Sequence, residues 1–173
     1  MTRPARGKRW AMQAAKDVLE QYPSGVPVDV VAIAKAFEIE VRLEALEDQV
    51  SGVLLVQADH PVIGVNAHHH PNRQRFSIAH ELGHFVLHRD KEPFFIDAAV
   101  FFRSEGATPE TWAQEREANA FAAELLLPQH ALEEIWRTEP IDVFDDVKLR
   151  SLANHFGVST QALAIRLSEL GLV

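Results

Sequence analysis

His80-Glu81-Leu82-Gly83-His84 has the residue types and spacing that metal-assisted hydrolysis requires. On a helix, side chains four apart stand one turn above each other on the same face. His80 and His84 can therefore each direct an imidazole nitrogen at a single cation. Glu81 is rotated by about 100° from His80. It cannot occupy the same coordination position, but it can reach a water held by the cation, where a general base must stand. The competing reading is that both histidines are ordinary surface residues on a polar helix face. Three features decide between these readings: a helix, a third ligand and a buried setting.

The helix is predicted from Arg73 to His88. Ile78, Ala79, Leu82, Phe85 and Val86 form its apolar side, and Arg73, Ser77, His80, His84 and His88 the other. A third ligand is offered by the next long helix, which carries Glu115-Arg116-Glu117-Ala118-Asn119. At about 100° per residue, Glu115 and Asn119 fall within a stripe of Trp112, Ala118, Ala122, Leu125 and Leu126, with Glu117 and Glu124 opposite. A carboxylate buried without a partner costs several kcal/mol or stays protonated, and a cation removes that cost. Glu115 is therefore the favoured ligand, with pairing to Arg73 or Arg103 as its alternative, and Glu117 reads as a solvated acid. Asn119 is placed to accept a hydrogen bond from the far nitrogen of a liganding histidine.

Two histidines and one carboxylate leave an open coordination position, as catalytic zinc sites do. Zn2+ is favoured by the mixed nitrogen and oxygen donors, with Mn2+ or another divalent ion as the alternative. His88 is assigned a supporting or helix-end role and Arg103 a possible contact to the oxyanion or substrate. The single tyrosine, Tyr22, lies far from these motifs in sequence. His68-His69-His70 reads as a solvated loop.

The elements that must position these residues are punctuated clearly. Helices are predicted over 6–21, 30–37, 73–88, 108–127, 129–137, 146–155 and 160–170. Asp29, Thr108 and Ser159 serve as caps, and Pro109 lies in a first turn. Short β-branched or alternating runs over 39–43, 51–56 and 61–65 read as strands. Residues 90–106 read as irregular and aromatic, either a lid or docking patch or an ordinary satellite core. The expected class is α+β: mainly helical, with a small antiparallel sheet of about three strands and a helix-turn-helix-like C-terminal pair. The chain has 173 residues, enough for one core. It has no cysteine, which excludes disulfides, thiolate metal sites and cysteine nucleophiles. No apolar run approaches the ~20 residues of a membrane helix, and no secretory signal is evident, so the expected location is cytoplasmic. The net charge of −8 argues against a molecule-wide nucleic-acid surface.

Arg73 to His84, then Leu87-His88, then Glu115 to Pro128 resemble the ImmA/IrrE family of metallopeptidases. The resemblance extends to Pro27-Val28-Asp29, Ser51-Gly52, Ile63-Gly64-Val65-Asn66 and the tail from Leu152 to Leu167, and so covers nearly the whole chain. It implies a zincin-like core over 1–137 with a helical subdomain, 138–173, packed on it. It also implies a metal held by His80, His84 and Glu115, with Glu81 as general base. The implied target is a helix-turn-helix repressor of the XRE type, cleaved or antagonised, in an anti-repressor or toxin–antitoxin-like module. Larger relatives carry a further sensor-like domain, for which this chain has no room.

Two other classes compete with a zinc endopeptidase. One is a binding module that sequesters the repressor without cutting it. The other is a DNA-binding regulator using Leu152 to Leu170, a weaker reading because residues 148–173 carry a net charge of only +2.

Overall fold

The computed structural model describes residues 6–56, 60–90, 93–98 and 108–173. Among these, seven helices and four strands follow in the order α1 (Lys8–Gln21), α2 (Val30–Ala36), β1 (Glu40–Glu44), β2 (Val50–Leu55), β3 (Val62–Asn66), α3 (Pro71–His88), β4 (Phe94–Ala98), α4 (Pro109–Leu126), α5 (Gln129–Thr138), α6 (Asp146–Phe156) and α7 (Thr160–Glu169). The fold is α+β. Local capping chemistry sets most helix starts. Asp29 accepts from the Ala32 amide, Thr108 from that of Thr111, Asp145 from those of Val147 and Lys148, and Ser159 from that of Ala162. Pro71 and Pro109 stand in first turns, where a missing N–H costs nothing.

The sheet corrects the expected antiparallel three-strander. It has four strands in the order β1-β3-β2-β4, and it is mixed. β2 runs antiparallel to both β3 and β4, whereas β1 pairs parallel with β3. The connection from β1 to β2 crosses the end of β3, which leaves β3 between them. Asn66 stands at that crossing, fully buried, with its side-chain amide donating to the carbonyls of Glu47 and Val50. Part of the segment expected to be irregular is the edge strand β4. Phe101, Phe102 and Arg103 lie outside the described residues.

α3 lies between the sheet and α4, and α1 also packs on α4. The approach of α3 to α4 depends on Gly83. A Cβ there would stand 3.1 Å from the Phe121 ring and 3.2 Å from the Ala118 carbonyl oxygen. A side chain at this position would therefore push the two helices apart, and with them the two halves of the histidine and carboxylate set.

One apolar cluster runs through the molecule, from Ala11 and Ala15 of α1 through Ile78 and Leu82 to Leu163 and Leu167 of α7. The last two helices are tied to it by polar bonds. Asn72 donates to the Val158 carbonyl, and Arg75 donates to the Gly157 and Val28 carbonyls. No described helix is long and apolar enough to cross a membrane.

Candidate metal centre

From Ser77 onward the polar face of α3 does not meet solvent. Ser77, His80, Glu81, His84 and His88 are all buried, because the sheet covers one side of the helix and α4 the other. The structure brings His80, His84 and Glu115 together. The Nε2 atoms of the two rings are 3.1 Å apart. Glu115 Oε2 lies 3.1 Å from His80 Nε2, and Oε1 lies 3.1 Å from His84 Nε2. Glu115 Oε2 nevertheless accepts no aligned hydrogen bond.

Each ring is held from its far side. His80 Nδ1 lies 3.0 Å from Asn119 Oδ1; it donates there, so Nε2 is the nitrogen that a cation would claim in place of a proton. His84 Nδ1 lies 3.1 Å from His88 Nδ1, and His88 Nε2 lies 3.0 Å from Glu117 Oε2. Phe76 and Phe95 stack on the rings of His80 and His84 respectively. Two ring nitrogens and a carboxylate thus face one another in a buried space, and a single shared proton cannot satisfy all three. A divalent cation can, so the donor set fits a metal ion.

Glu81 is fully buried beside this group, and neither of its oxygens has a hydrogen-bond partner among the described residues. Gly52 of β2 makes room for it, since a Cβ there would stand 3.1 Å from Glu81 Oε1. Burial pushes Glu81 up to about 8, reinforced by Asp97 and Glu115 against the opposing pull of His80. Burial also acts to lower His80, but the Glu115 carboxylate, with Glu81 and Asp97, outweighs it and raises this ring to about 9. His84 is lowered to about 4 by burial, ahead of the Glu115 bond that opposes it. Burial acts to raise Glu115, but the two histidine rings 3.1 Å from its oxygens outweigh that and lower it to about 2.

Several expectations need correction. Glu117 is not a solvated acid; it is buried and holds His88 and the Gly7 amide. Arg73 donates to Ser51 Oγ rather than pairing with Glu115. Asn119, placed inside the apolar stripe by the helical wheel, is exposed as a residue although its side chain reaches His80. Trp112, assigned to the same stripe, is also exposed. His70 is more than solvated loop, since its ring accepts from the Asn72 amide at the start of α3. Tyr22 packs against Phe37, and that ring against Phe85. Arg103 lies outside the described residues.

Sequence reasoning missed Asp97. It comes from edge strand β4, and its carboxylate forms a second close group with His80 and Glu81. Burial raises its carboxyl above the ordinary value. No motif marks it, because its place depends on the pairing of β4 with β2.

Comparison with known proteins agrees with this geometry. The family model described as the IrrE N-terminal-like domain, a peptidase family, matches residues 34–168. An "uncharacterized immunity region protein 2" of Bacillus phage phi105 is 28% identical over 141 residues, covering 80% of this chain and 82% of the phage protein. A solved Mycobacterium tuberculosis transcriptional regulator superposes with a TM-score of 0.63 at 22% identity, over 92% of this chain and 47% of the regulator. That likeness is one of fold, and the chain spans about half the length of the regulator.

Proposed function

Because the chain belongs to the IrrE N-terminal-like peptidase family, we propose that it is a zinc-dependent endopeptidase making limited cuts in a partner protein, with an XRE-type helix-turn-helix repressor as the target. The observation that carries this reading is the buried convergence of His80, His84 and Glu115 beside a carboxylate, Glu81, that has no hydrogen-bond partner among the described residues. When bound there, a divalent ion supplies Lewis acidity, lowering the pKa of water toward about 7 and polarising a carbonyl.

The chain's own residues do the rest. His80, His84 and Glu115 would hold the ion. Glu81 accepts a proton from the attacking water as the new C–O bond forms, then delivers it to the amide nitrogen as the C–N bond breaks. β4 has β2 as its single neighbour among the described strands. Phe95 and Asp97 carry it past the site. An extended substrate segment adding to its outer edge would pass the ligand group, with main-chain hydrogen bonds holding it. The name of the phage relative, an immunity region protein, fits a repressor as the target.

The test is to incubate zinc-loaded protein with the repressor encoded nearest to it and follow fragments by mass spectrometry. A small number of cuts, stopped by a chelator, is the expected result. An intact repressor in a stable complex would replace this reading with the non-proteolytic binding module.

Metal binding carries a further expectation, in its pH dependence. In the metal-free protein His80 is raised from 6.5 to about 9 and Glu81 from 4.5 to about 8. Above about pH 6.5 the unfolded chain has released both protons while the folded chain keeps them. Metal-free stability therefore falls as pH rises from about 6.5 to 8, by up to about 1.4 kcal/mol per pH unit for each proton retained. His84 and Glu115 titrate below this window. A cation in the cluster takes over the role of the protons and removes that loss. The rise in Tm on adding zinc is expected to be larger at pH 8 than at pH 6.5, as differential scanning fluorimetry can measure. An equal rise at both values would show that no proton is displaced.

A further inference from the structure

Behind His84 runs a chain of hydrogen-bonding groups that ends on the backbone of the N-terminal helix. Glu117 Oε1 accepts from the Gly7 amide at 2.6 Å, and its Oε2 lies 3.0 Å from His88 Nε2. His88 Nδ1 in turn lies 3.1 Å from His84 Nδ1. All three side chains are buried, so each bond must find its donor and acceptor within the chain.

The direction of every proton follows from the far end. A backbone amide can only donate and a carboxylate can only accept, so His88 Nε2 carries a hydrogen toward Glu117. When that is the one hydrogen the ring carries, His88 presents a lone pair at Nδ1, and His84 Nδ1 must be the donor to it. That leaves His84 Nε2 with a lone pair, aimed at Glu115 and His80.

We infer that Glu117 and His88 are positioning residues that fix the tautomer of His84, and that the Gly7 amide fixes the direction of the chain. This rests on the reading of His80, His84 and Glu115 as metal ligands, and it concerns what makes one of them competent to bind.

Glu117→Gln tests it with almost no change in shape. The Gly7 amide still needs an acceptor, so the glutamine oxygen belongs there and its NH2 group faces His88 Nε2. His88 must then accept at Nε2 and donate from Nδ1, which places the proton of His84 on Nε2, pointing into the ligand cluster. In the full-length protein, competition against a chromophoric chelator is expected to show zinc binding weakened by about 10–100-fold. Side-chain 15N NMR of the metal-free protein is expected to show His84 and His88 exchanging tautomers, a change that a general loss of packing does not produce. His88→Phe interrupts the same chain and is expected to weaken zinc by a similar factor, which keeps the test available if one variant does not fold. Wild-type zinc affinity with unchanged tautomers in a folded Glu117→Gln protein would overturn the inference. Wild-type protein that takes up no zinc would instead overturn the ligand reading beneath it.

Discussion

Glu81→Gln is expected to leave the fold and the zinc content intact and to lower cleavage by about 10²–10⁴-fold, the usual contribution of a positioned general base. The argument begins with burial. Glu81 has no exposure and, among the described residues, no hydrogen-bond partner for either oxygen, an arrangement that works against stability unless another task requires it. The glutamine amide has the same shape and fits the space that Gly52 leaves, but it cannot accept a proton from water. None of the three ligand side chains changes, so zinc should remain near one equivalent by elemental analysis. The metal-free variant should be as stable at pH 8 as the wild type or more so, because the carboxyl that burial raises to about 8 is gone. With a cation bound nearby, the wild-type carboxylate is favoured in its charged form, as a base at neutral pH must be. Fragment yield followed over time by mass spectrometry reads the rate. Cleavage at the wild-type rate would remove Glu81 from the mechanism and leave Asp97, the other carboxylate of that group, as the next base to test.

The legible part of the site was local. His80, Glu81 and His84 lie within one helical turn, and helix geometry alone fixes their relative directions. Glu115 was found by a less secure route. The helical wheel separated it from Glu117 and Glu124, but a wheel divides a helix into sides without saying which side is covered. In the structure α4 packs against both α1 and α3, and Glu115, Glu117 and Glu124 are all buried. The burial of Glu117 depends on Gly7 and His88, which are distant in sequence, and no window along the chain contains that information.

The sheet shows the same limit. The short runs mark β1, β2 and β3 closely, because alternation over 39–43 and β-branched composition over 51–56 and 61–65 are properties of single strands. The parallel direction of β1 depends on how the chain crosses the end of β3, which is a matter of long-range pairing. β4 was hidden in a run of consecutive apolar residues, Phe94-Phe95-Ile96, with no period of two. Its partner β2 makes it a strand.

Arg166→Ala is expected to cost about 3–5 kcal/mol, the usual penalty for leaving one member of a buried ion pair alone, and so to lower Tm by roughly 6–20 °C in a chain of this size. Arg166 pairs with Glu124 and also donates to the Leu127 carbonyl, and both charged side chains are almost wholly buried. The other Glu124 oxygen accepts from the Gln129 amide at the start of α5. One carboxylate thus joins the end of α4, the start of α5 and the inner face of α7. Removing the guanidinium leaves that carboxylate buried and half-paired. Glu124→Gln in the Arg166→Ala background is expected to recover part of the loss, because a neutral amide can still accept from Gln129 without an uncompensated charge. Urea unfolding of the two single variants and the double variant reads the coupling directly, and a loss below about 1 kcal/mol for Arg166→Ala would place the pair with weak surface bridges. The same geometry bears on what the last two helices do. In a helix-turn-helix reading α7 would face the DNA groove, yet its arginine is turned inward to the α4 carboxylate, and Lys148 of α6 pairs with Glu139. Lys148 and the exposed Arg150 make too small a cationic patch to neutralise phosphates, so the wild-type protein is expected to give no DNA gel shift even at low salt. What ties α7 to the rest of the fold is this buried pair with α4, together with the apolar residues Leu163 and Leu167.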